Sequence, residues 1–336
     1  MARTRYATDR GLIARMGATM FLLGLVFTAF IIVVVLLLAR YSNVGQGGII
    51  FIAILFGLVA SFGSYFWSDK IALSTAGAQL VTPEQAPELH GIIDRLCALA
   101  DMPKPKVAIA PTNLPNAFAT GRNSKVAVVC VTTGLLDRLD PKEQEAVLAH
   151  EMSHVAHKDV AVMTIASFLG IVAALMVRFA FYSELFGGGG RGRGRGGNNN
   201  NQGGLPVVLI VMLVGMVVYA ISFLLIRMLS RYRELSADRS GALLTGQPSA
   251  LKSALVKVSG EMAMIPTRDL RAAEPLNAFF FAPAQALQRR QPGSVQSQDP
   301  ARRPGHFSLA NVFSTHPPLE KRLRELDKIS QQLSRQ

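Results

Sequence analysis

The chain has 336 residues, of which 50% are hydrophobic and 17% are charged, and its formal net charge is +13. Its apolar residues could form one large core or be divided between a soluble core and a bilayer, and their grouping in long uncharged runs argues against a single soluble core. The net charge alone would suit a nucleic-acid partner, an anionic lipid surface or the loops of a membrane protein.

Four apolar segments have the composition of membrane spans. No charged side chain occurs in 17–39, 47–67 or 205–226, and a further uncharged run, 160–177, ends at Arg178. A spanning helix needs about 20 predominantly apolar residues. We therefore predict an integral membrane protein with about four transmembrane helices, at 17–39, 47–67, 160–182 and 205–227. The alternative for the shorter third segment is a buried or re-entrant helix.

The distribution of positive charge predicts an orientation. Lys and Arg are concentrated in 1–16, 68–159 and 228–336, and they are sparse in the two connections between spans one and two and between spans three and four. The positive-inside rule places the concentrated segments in the cytoplasm. We therefore expect a multi-pass membrane protein, with a cytoplasmic N-terminus at 1–16 and both soluble segments on the cytoplasmic side.

The connection 183–204 is a low-complexity segment of Gly, Arg and Asn that cannot form a core. We predict that it is a disordered loop. Arg-Gly segments can bind single-stranded nucleic acid, but this one has only three arginines and the predicted topology places it outside the cytoplasm. No nucleic-acid partner is therefore expected. Residues 262–313, with Pro-rich and Gln/Ser-rich patches, are predicted to be a long irregular connection.

The segment 68–159 should contain a small α+β domain. Residues 82–85, Thr-Pro-Glu-Gln, have the pattern of a helix start, and we expect that helix to run to about Asp101. Residues 107–110 and 125–132 are rich in strand-forming side chains and bracket a turn-rich segment. They predict a small sheet or a hairpin.

The next helix carries the clearest chemical signal. Residues 140–143, Asp-Pro-Lys-Glu, repeat the helix-start pattern, and residues 150–154 read His-Glu-Met-Ser-His. Histidines at positions i and i+4 lie on one helix face, so His150 and His154 can reach one Zn²⁺ at about 2.0–2.1 Å. Glu151 can contact the metal's water without filling a coordination site. The spacing predicts two ligands and a general base; the alternative is a helix with two incidental histidines.

A catalytic zinc site also needs a third protein ligand and an open position for water. The candidate is Glu234, which follows the last span, and Asp238 lies one helical turn later, where it could accept a hydrogen bond from a ligand imidazole. On spacing alone, ordinary i,i+4 charge pairing on a solvated helix explains the two carboxylates equally well. His157 is interpreted as a surface or supporting histidine, because a three-ligand site with Glu234 as the third ligand would be complete without it.

Four sequence blocks together resemble a known family. They are His150 to His154, Glu-Leu-Ser-Ala-Asp at 234–238, Asn-Ala-Phe-Ala-Thr-Gly at 116–121, and Ser-Thr-His-Pro-Pro-Leu-Glu-Lys-Arg-Leu at 314–323. Their order relative to the four hydrophobic runs is similar to that of the HtpX-type membrane metalloproteases of the M48 peptidase family. The resemblance extends from the first span to the C-terminal helix, while 187–204 and 262–313 look like elaborations of this chain.

The resemblance implies a mainly α integral membrane protein with a cytoplasmic α+β zincin-like metallopeptidase domain that contains a small β-sheet. It implies one Zn²⁺ per chain at His150, His154 and Glu234, with Glu151 as general base and Asp238 supporting a ligand histidine. It also implies polypeptide substrates, chiefly membrane proteins, and a role in the quality control of misfolded or damaged membrane proteins.

The resemblance further suggests how substrate is held. Asn116, Ala117 and Phe118 would belong to an edge strand that pairs with extended substrate. The alternative is the rim of a hairpin. His316 and Arg322 would lie near the cleft and polarise the scissile carbonyl or stabilise its oxyanion. The alternative is ordinary surface charge on a C-terminal helix.

Other functions are open on sequence alone. One is an M48-like processing peptidase with a narrow substrate, although such relatives have more spans than the four predicted here. Others are a non-catalytic zinc-stabilised membrane scaffold and a basic, membrane-tethered nucleic-acid binder. The last two would leave Glu151 without a chemical task.

Overall fold

Helices make up most of the described structure. The computed structural model describes residues 10–41, 63, 66–67, 69–121, 123–187, 204–264 and 316–335. The helices are α1 (Arg10–Tyr41), α2 (Pro87–Ala100), α3 (Thr133–Leu136), α4 (Pro141–Ala156), α5 (Asp159–Gly187), α6 (Gly204–Thr245), α7 (Pro248–Met264) and α8 (Leu319–Leu333). The strands are β1 (Gln79–Leu80), β2 (Lys106–Ala110), β3 (Ala117–Thr120) and β4 (Val128–Thr132).

The strands form a mixed sheet in the order β1-β2-β4-β3. β1 is antiparallel to β2, β2 runs parallel to β4, and β3 is antiparallel to β4. The prediction of a small sheet is confirmed, but the two predicted strands are parallel neighbours rather than the arms of a hairpin. The turn-rich segment between them contains β3, which lies at one edge of the sheet.

The core of this domain lies between the sheet and α4. Val129 and Val131 of β4, with Leu148 and Met152 of α4, are no more than 1% exposed. Helices α2 and α7 cover other sides of α4, and α8 packs on α7; their apolar side chains in this core include Ile93, Leu96, Leu251, Leu255, Leu326 and Ile329. Because apolar side chains surround it, α4 is one of the most deeply buried elements of the domain, and the His-Glu-Met-Ser-His motif is buried with it.

The start of α4 has the predicted cap. The Asp140 Oδ1 atom accepts a hydrogen bond of 3.0 Å from the Glu143 backbone N–H, and the Glu143 Oε2 atom accepts one of 3.1 Å from the Asp140 backbone N–H. The Glu143 carboxylate also accepts a hydrogen bond of 2.6 Å from Lys257 of α7. This reciprocal cap satisfies two backbone donors that the first turn of a helix leaves without intrahelical partners.

The predicted start of α2 is wrong. The Thr82 backbone N–H donates to the Gln85 side chain at 2.9 Å, but this contact closes a turn, and the helix begins at Pro87. Ala86 has φ −142° and ψ 65°, outside the helical region, as expected for a residue that the following proline ring restricts. The predicted end is correct, because α2 ends at Ala100 and Asp101 takes a left-handed φ of 52°.

The described residues divide into two compact units. The first unit consists of the described residues up to Ala14 and those within Tyr65–Ala161 and Ser230–Gln336. It contains the sheet and the core. The second unit consists of the described residues within Arg15–Ser64 and Val162–Leu229. The buried side chains that pack together in it include Leu23, Ala166 and Leu225.

Two described helices, α1 and α6, are long and apolar enough to cross a membrane, and α4 with α5 provides a third if that pair, bent by 57°, counts as one span. The predicted spans 17–39, 160–182 and 205–227 fall within α1, α5 and α6. Most of the predicted span 47–67 lies outside the described residues. A total of four spans, like the cytoplasmic orientation, stays a prediction.

The prediction of a disordered loop over the whole of 183–204 is wrong at both ends. α5 continues to Gly187 and α6 begins at Gly204, because Ser-Glu-Leu-Phe at 183–186 contains no helix breaker and the glycine-rich composition starts only after it. Similarly, α7 extends to Met264, two residues into the predicted irregular connection 262–313. The remaining residues of both segments lie outside the described part of the chain.

The cap of α4 can be tested by stability. Asp140→Ala removes the side-chain acceptor and should destabilise the domain by about 1 kcal/mol, because the Glu143 backbone N–H loses its hydrogen-bond partner. We expect a lower Tm in thermal unfolding of the purified protein. Asp137→Ala, at an exposed position in the preceding turn, is the control and should leave the Tm unchanged. An equal Tm for wild type and Asp140→Ala would contradict this account of the cap.

Candidate metal centre

Helix α4 places the two histidines side by side in the interior. The ring centroids of His150 and His154 are 4.9 Å apart, with an angle of 87° between the ring planes. His150 is 1% exposed. Because four residues make slightly more than one helical turn, both imidazoles project from the same face of α4.

Helix α6 brings a carboxylate to these two imidazoles. The Glu234 Oε1 atom lies 3.6 Å from His154 Nε2, and the Glu234 Oε2 atom lies 3.9 Å from His150 Nε2. One ligand atom from each of the three residues lies within 4.8 Å of the others. The predicted set His150, His154 and Glu234 is therefore brought together by the fold.

The geometry of these atoms fits a small divalent metal ion. Ligands of a tetrahedral zinc ion at 2.0–2.2 Å lie about 3.4 Å from one another, close to the separations between Glu234 and the two imidazoles. Two imidazole nitrogens and one carboxylate oxygen are also a common ligand set of catalytic zinc sites, which leave a position open for water.

Each ligand imidazole is held from behind by a second carboxylate. The Asp238 Oδ1 atom is 3.0 Å from His150 Nδ1, and the Asp159 Oδ2 atom contacts His154 Nδ1. An ionised carboxylate can only accept hydrogen bonds, so His154 Nδ1 donates to Asp159, while Asp238 lies beside His150 Nδ1. In the neutral form of His154 that could bind a metal, the lone pair is therefore on Nε2, the nitrogen that faces Glu234. Asp238 therefore lies beside a ligand histidine, where the sequence predicted a supporting carboxylate.

The C-terminal segment adds Arg322 and His316 to the cluster. Arg322, which is 1% exposed, donates two hydrogen bonds to Asp238, from Nε at 2.8 Å and from Nη2 at 2.6 Å. His316 Nδ1 lies 2.9 Å from Glu234 Oε2. Burial opposes the ionisation of Asp238, but the charge and hydrogen bonds of Arg322 hold the pKa of that carboxyl below its ordinary value. Both predicted residues lie at the site and contact its carboxylates.

Glu151 lies between the cluster and the edge of the sheet. Its Oε2 atom accepts a hydrogen bond of 3.2 Å from the backbone N–H of Ala119 in β3. Burial raises the pKa of Glu151 to about 8, and the nearby Glu234 carboxylate adds to the rise while the charge of His154 opposes it. A buried carboxyl with a raised pKa, next to a metal site, has the position of a general base or acid.

The structure places the predicted substrate-binding residues at the start of β3. The Asn116 backbone N–H donates to Thr132 Oγ1 at 2.9 Å, and its carbonyl accepts from the Thr132 backbone N–H at 3.0 Å. Ala117 and Phe118 then pair with β4 and are buried. The edge position of this strand agrees with the expectation, while its pairing with substrate stays a prediction.

Sequence reasoning missed three residues that shape the centre: Asp159, Arg233 and Gly241. Asp159 contacts His154, and Arg233 lies 3.0 Å from Asp159. A Cβ atom at Gly241 would lie 2.8 Å from the His150 backbone nitrogen and 3.1 Å from the Ala149 carbonyl carbon. Gly241 lets α6 pack directly on the α4 backbone. Its spacing of three from Asp238 and seven from Glu234 places it on the ligand face of α6, which was the available signal.

Comparisons with known proteins show the family of this chain. Residues 83–330 match the family described as Peptidase family M48. Protease HtpX homolog 1 of Streptomyces coelicolor is 52% identical over 331 residues, which cover 98% of this chain and 97% of that protein. Protease HtpX homolog 2 of Methanosarcina mazei is 48% identical over 332 residues, covering 99% and 100%. A crystal structure of S. mikatae Ste24p has a TM-score of 0.49 and 17% identity, covering 93% of this chain and 62% of that one.

Helices of membrane-spanning length, together with two imidazoles, a carboxylate and an adjacent glutamate, define a membrane metalloprotease of the His-Glu-x-x-His type. The family match extends over most of the chain and includes every residue of the cluster. The chain belongs to peptidase family M48, and its similarity to HtpX homologs extends over nearly its whole length.

The close approach at Gly241 gives a test of the site. Gly241→Ala should force α4 and α6 apart, at a cost of about 1–3 kcal/mol. We expect a lower Tm and weaker binding of a divalent metal ion, measured by chelator competition. Gly260→Ala in α7 is the matched control, because a Cβ there meets nothing within 4 Å. Wild-type metal affinity and Tm in Gly241→Ala would show that the approach is not required.

Proposed function

We propose that this protein is a zinc metalloendopeptidase that binds one Zn²⁺ per chain through His150, His154 and Glu234. The observation that carries the proposal is the convergence of two imidazole Nε2 atoms and one carboxylate beside the buried Glu151. In a scaffold that zinc only stabilises, Glu151 would have no chemical role. Burying its carboxyl group would then cost free energy without contributing to function.

The chain's own groups supply the proton transfers of amide hydrolysis. His150, His154 and Glu234 would hold the zinc ion, which would supply a lower pKa for a bound water, toward about 7, and a Lewis acid for the substrate carbonyl. Glu151 takes the proton of the attacking water and delivers it to the leaving amine. Its position suits this role, because it is buried beside the proposed ligands and its Oε2 atom lies at the edge strand β3.

Strand β3 is proposed to hold the substrate backbone. Ala119 of β3 donates a hydrogen bond to Glu151, so a peptide added along this edge would pass the general base. β-addition recognises the backbone of an extended chain and needs no particular sequence. This mode of binding suits a protease whose substrates are misfolded or damaged polypeptides of varied sequence.

His316 and Arg322 are proposed to assist the reaction at the substrate carbonyl. Both carry donor nitrogens and lie against Glu234 and Asp238 in the buried cluster. A donor of this kind, aimed at the position of the developing oxyanion, stabilises the transition state by about 2.7–4 kcal/mol in other proteases. Their contacts with the two carboxylates would keep them in place for this role.

Membrane proteins are the proposed substrates, and the cytoplasmic side of the plasma membrane is the proposed location. Two features support this: the apolar segments of α1, α5 and α6, and the concentration of Lys and Arg in the segments that carry the site. The curated relatives are named as HtpX proteases, which supports a general protease of membrane-protein quality control over a processing enzyme with a narrow substrate.

The assignment of the base can be tested directly. Glu151→Gln should bind zinc with the wild-type stoichiometry and lose proteolysis, because the amide cannot accept the water proton. Glu234→Ala should lose both zinc and activity. The measurements are zinc per chain by elemental analysis and digestion of casein and of a membrane protein. Glu145→Gln, on the same helix but paired with Arg95, is the control and should stay active. Normal turnover by Glu151→Gln would contradict the assignment.

The substrate class has a separate test. The same cleavable sequence is offered in two forms, as a soluble peptide and as part of a protein anchored in the bilayer. In both cases the wild-type enzyme is reconstituted in lipid vesicles, and the anchored substrate is in the same vesicles as the enzyme. We expect about tenfold or greater kcat/KM for the anchored form, because confinement to the bilayer raises its effective concentration. Equal values for the two forms would contradict a preference for membrane proteins.

A further inference from the structure

A single carboxylate oxygen joins two parts of the metal centre that come from different helices. Asp159 Oδ2 contacts His154 Nδ1 and also lies 3.0 Å from Arg233 Nη2. The side chains of Asp159, His154 and Arg233 are 4%, 13% and 13% exposed. Asp159 is the first residue of α5, and neither His154 nor Arg233 belongs to that helix.

The two partners of Asp159 have distinct positions in the centre. His154 is one of the three candidate ligands, and Arg233 directly precedes Glu234, another ligand, on α6. Asp159 therefore orients one ligand by direct contact, and through Arg233 it anchors the turn of α6 that carries the second.

The same arrangement occurs behind the other imidazole. Asp238 contacts His150 Nδ1 and is paired with Arg322 through two hydrogen bonds. In each case a buried aspartate contacts the Nδ1 atom of a ligand histidine while an arginine compensates the aspartate charge. The centre thus contains two Asp–Arg pairs, one for each histidine, although only Asp238 lies on the same helix as the carboxylate ligand.

Charge explains why each arginine is needed. A buried carboxylate without a cationic partner is strongly unfavourable, and removing one partner of such a pair leaves an uncompensated charge. With Arg233 in place, Asp159 can stay ionised and accept from His154. The imidazole is then fixed in the tautomer that presents the Nε2 lone pair to the metal.

We propose that Asp159 and Arg233 form a positioning pair that sets the affinity and the ligand geometry of the metal centre through His154 and Glu234. The proposal rests on the zinc site proposed above. The competing explanation is a purely structural one, in which Asp159 starts α5 with favourable charge and ties it to α6. Only the positioning role predicts an effect on the metal beyond the effect on folding.

The test compares two conservative variants on adjoining helices. Asp159→Asn keeps the shape of the side chain but removes its negative charge, so that neither His154 Nδ1 nor Arg233 faces a charged acceptor. Glu145→Gln is the matched control, since Glu145 is also a buried acid paired with an arginine, at 2.7 Å from Arg95, and contacts no candidate ligand. Zinc affinity is measured by chelator competition, the ligand geometry by the absorption spectrum of the cobalt-substituted protein, and folding by the Tm of the metal-free protein.

We expect Asp159→Asn to bind zinc about 10- to 100-fold more weakly than wild type, the usual effect of removing a partner behind a ligand histidine. Its cobalt spectrum should also change, while Glu145→Gln keeps the wild-type affinity and spectrum. Arg233→Lys should bind zinc more tightly than Arg233→Met, because lysine keeps the compensating charge. The comparison of the two Arg233 variants tests the proposal even if Asp159→Asn folds poorly.

The proposal is overturned if Asp159→Asn retains wild-type affinity and spectrum, or if Glu145→Gln loses affinity to the same extent. It is equally overturned if the two Arg233 variants bind zinc alike. A failure of the zinc site itself has a different signature, because wild-type protein would then bind no stoichiometric zinc. The two ideas can therefore fail separately.

Discussion

The packing of α6 directly on the backbone of α4 is the constraint on which the metal centre depends. Gly241 is the point of closest approach, because a side chain there would meet the His150 backbone nitrogen at 2.8 Å. One helical turn from this contact lies Asp238, and two turns away lies Glu234. A single glycine thus fixes the distance from which one helix delivers a ligand and a supporting carboxylate to the two histidines of the other.

Close packing of this kind buries charge, and the chain compensates each charge with a partner. Asp238 is paired with Arg322, Asp159 with Arg233, and Glu234 lies against His316. Removing one partner from such a buried pair is costly. We therefore interpret the C-terminal segment as part of the centre, although nearly all of the chain between it and α7 lies outside the described residues.

The sequence predicts the residues that would carry the chemistry better than it predicts the residues that hold them in place. His150, Glu151 and His154 follow from helical spacing alone, and the cap at Asp140 follows from local hydrogen bonding. Glu234 and Asp238 needed a family resemblance, because a charged helix has the same spacing whether it is solvated or buried. Asp159 and Arg233 are paired across helices far apart in sequence, which no local pattern encodes. The start of α2 was misplaced because a glutamine can close a turn as well as cap a helix.

The central claim is that two imidazoles and one carboxylate hold zinc in this chain. X-ray absorption at the zinc edge of the purified, zinc-loaded protein tests it most directly. The account predicts two imidazole nitrogens at about 2.0–2.1 Å, together with oxygen ligands at about 2.0–2.2 Å. Thiolate scattering at about 2.3 Å, from Cys97 or Cys130, or the absence of imidazole scattering, would contradict it.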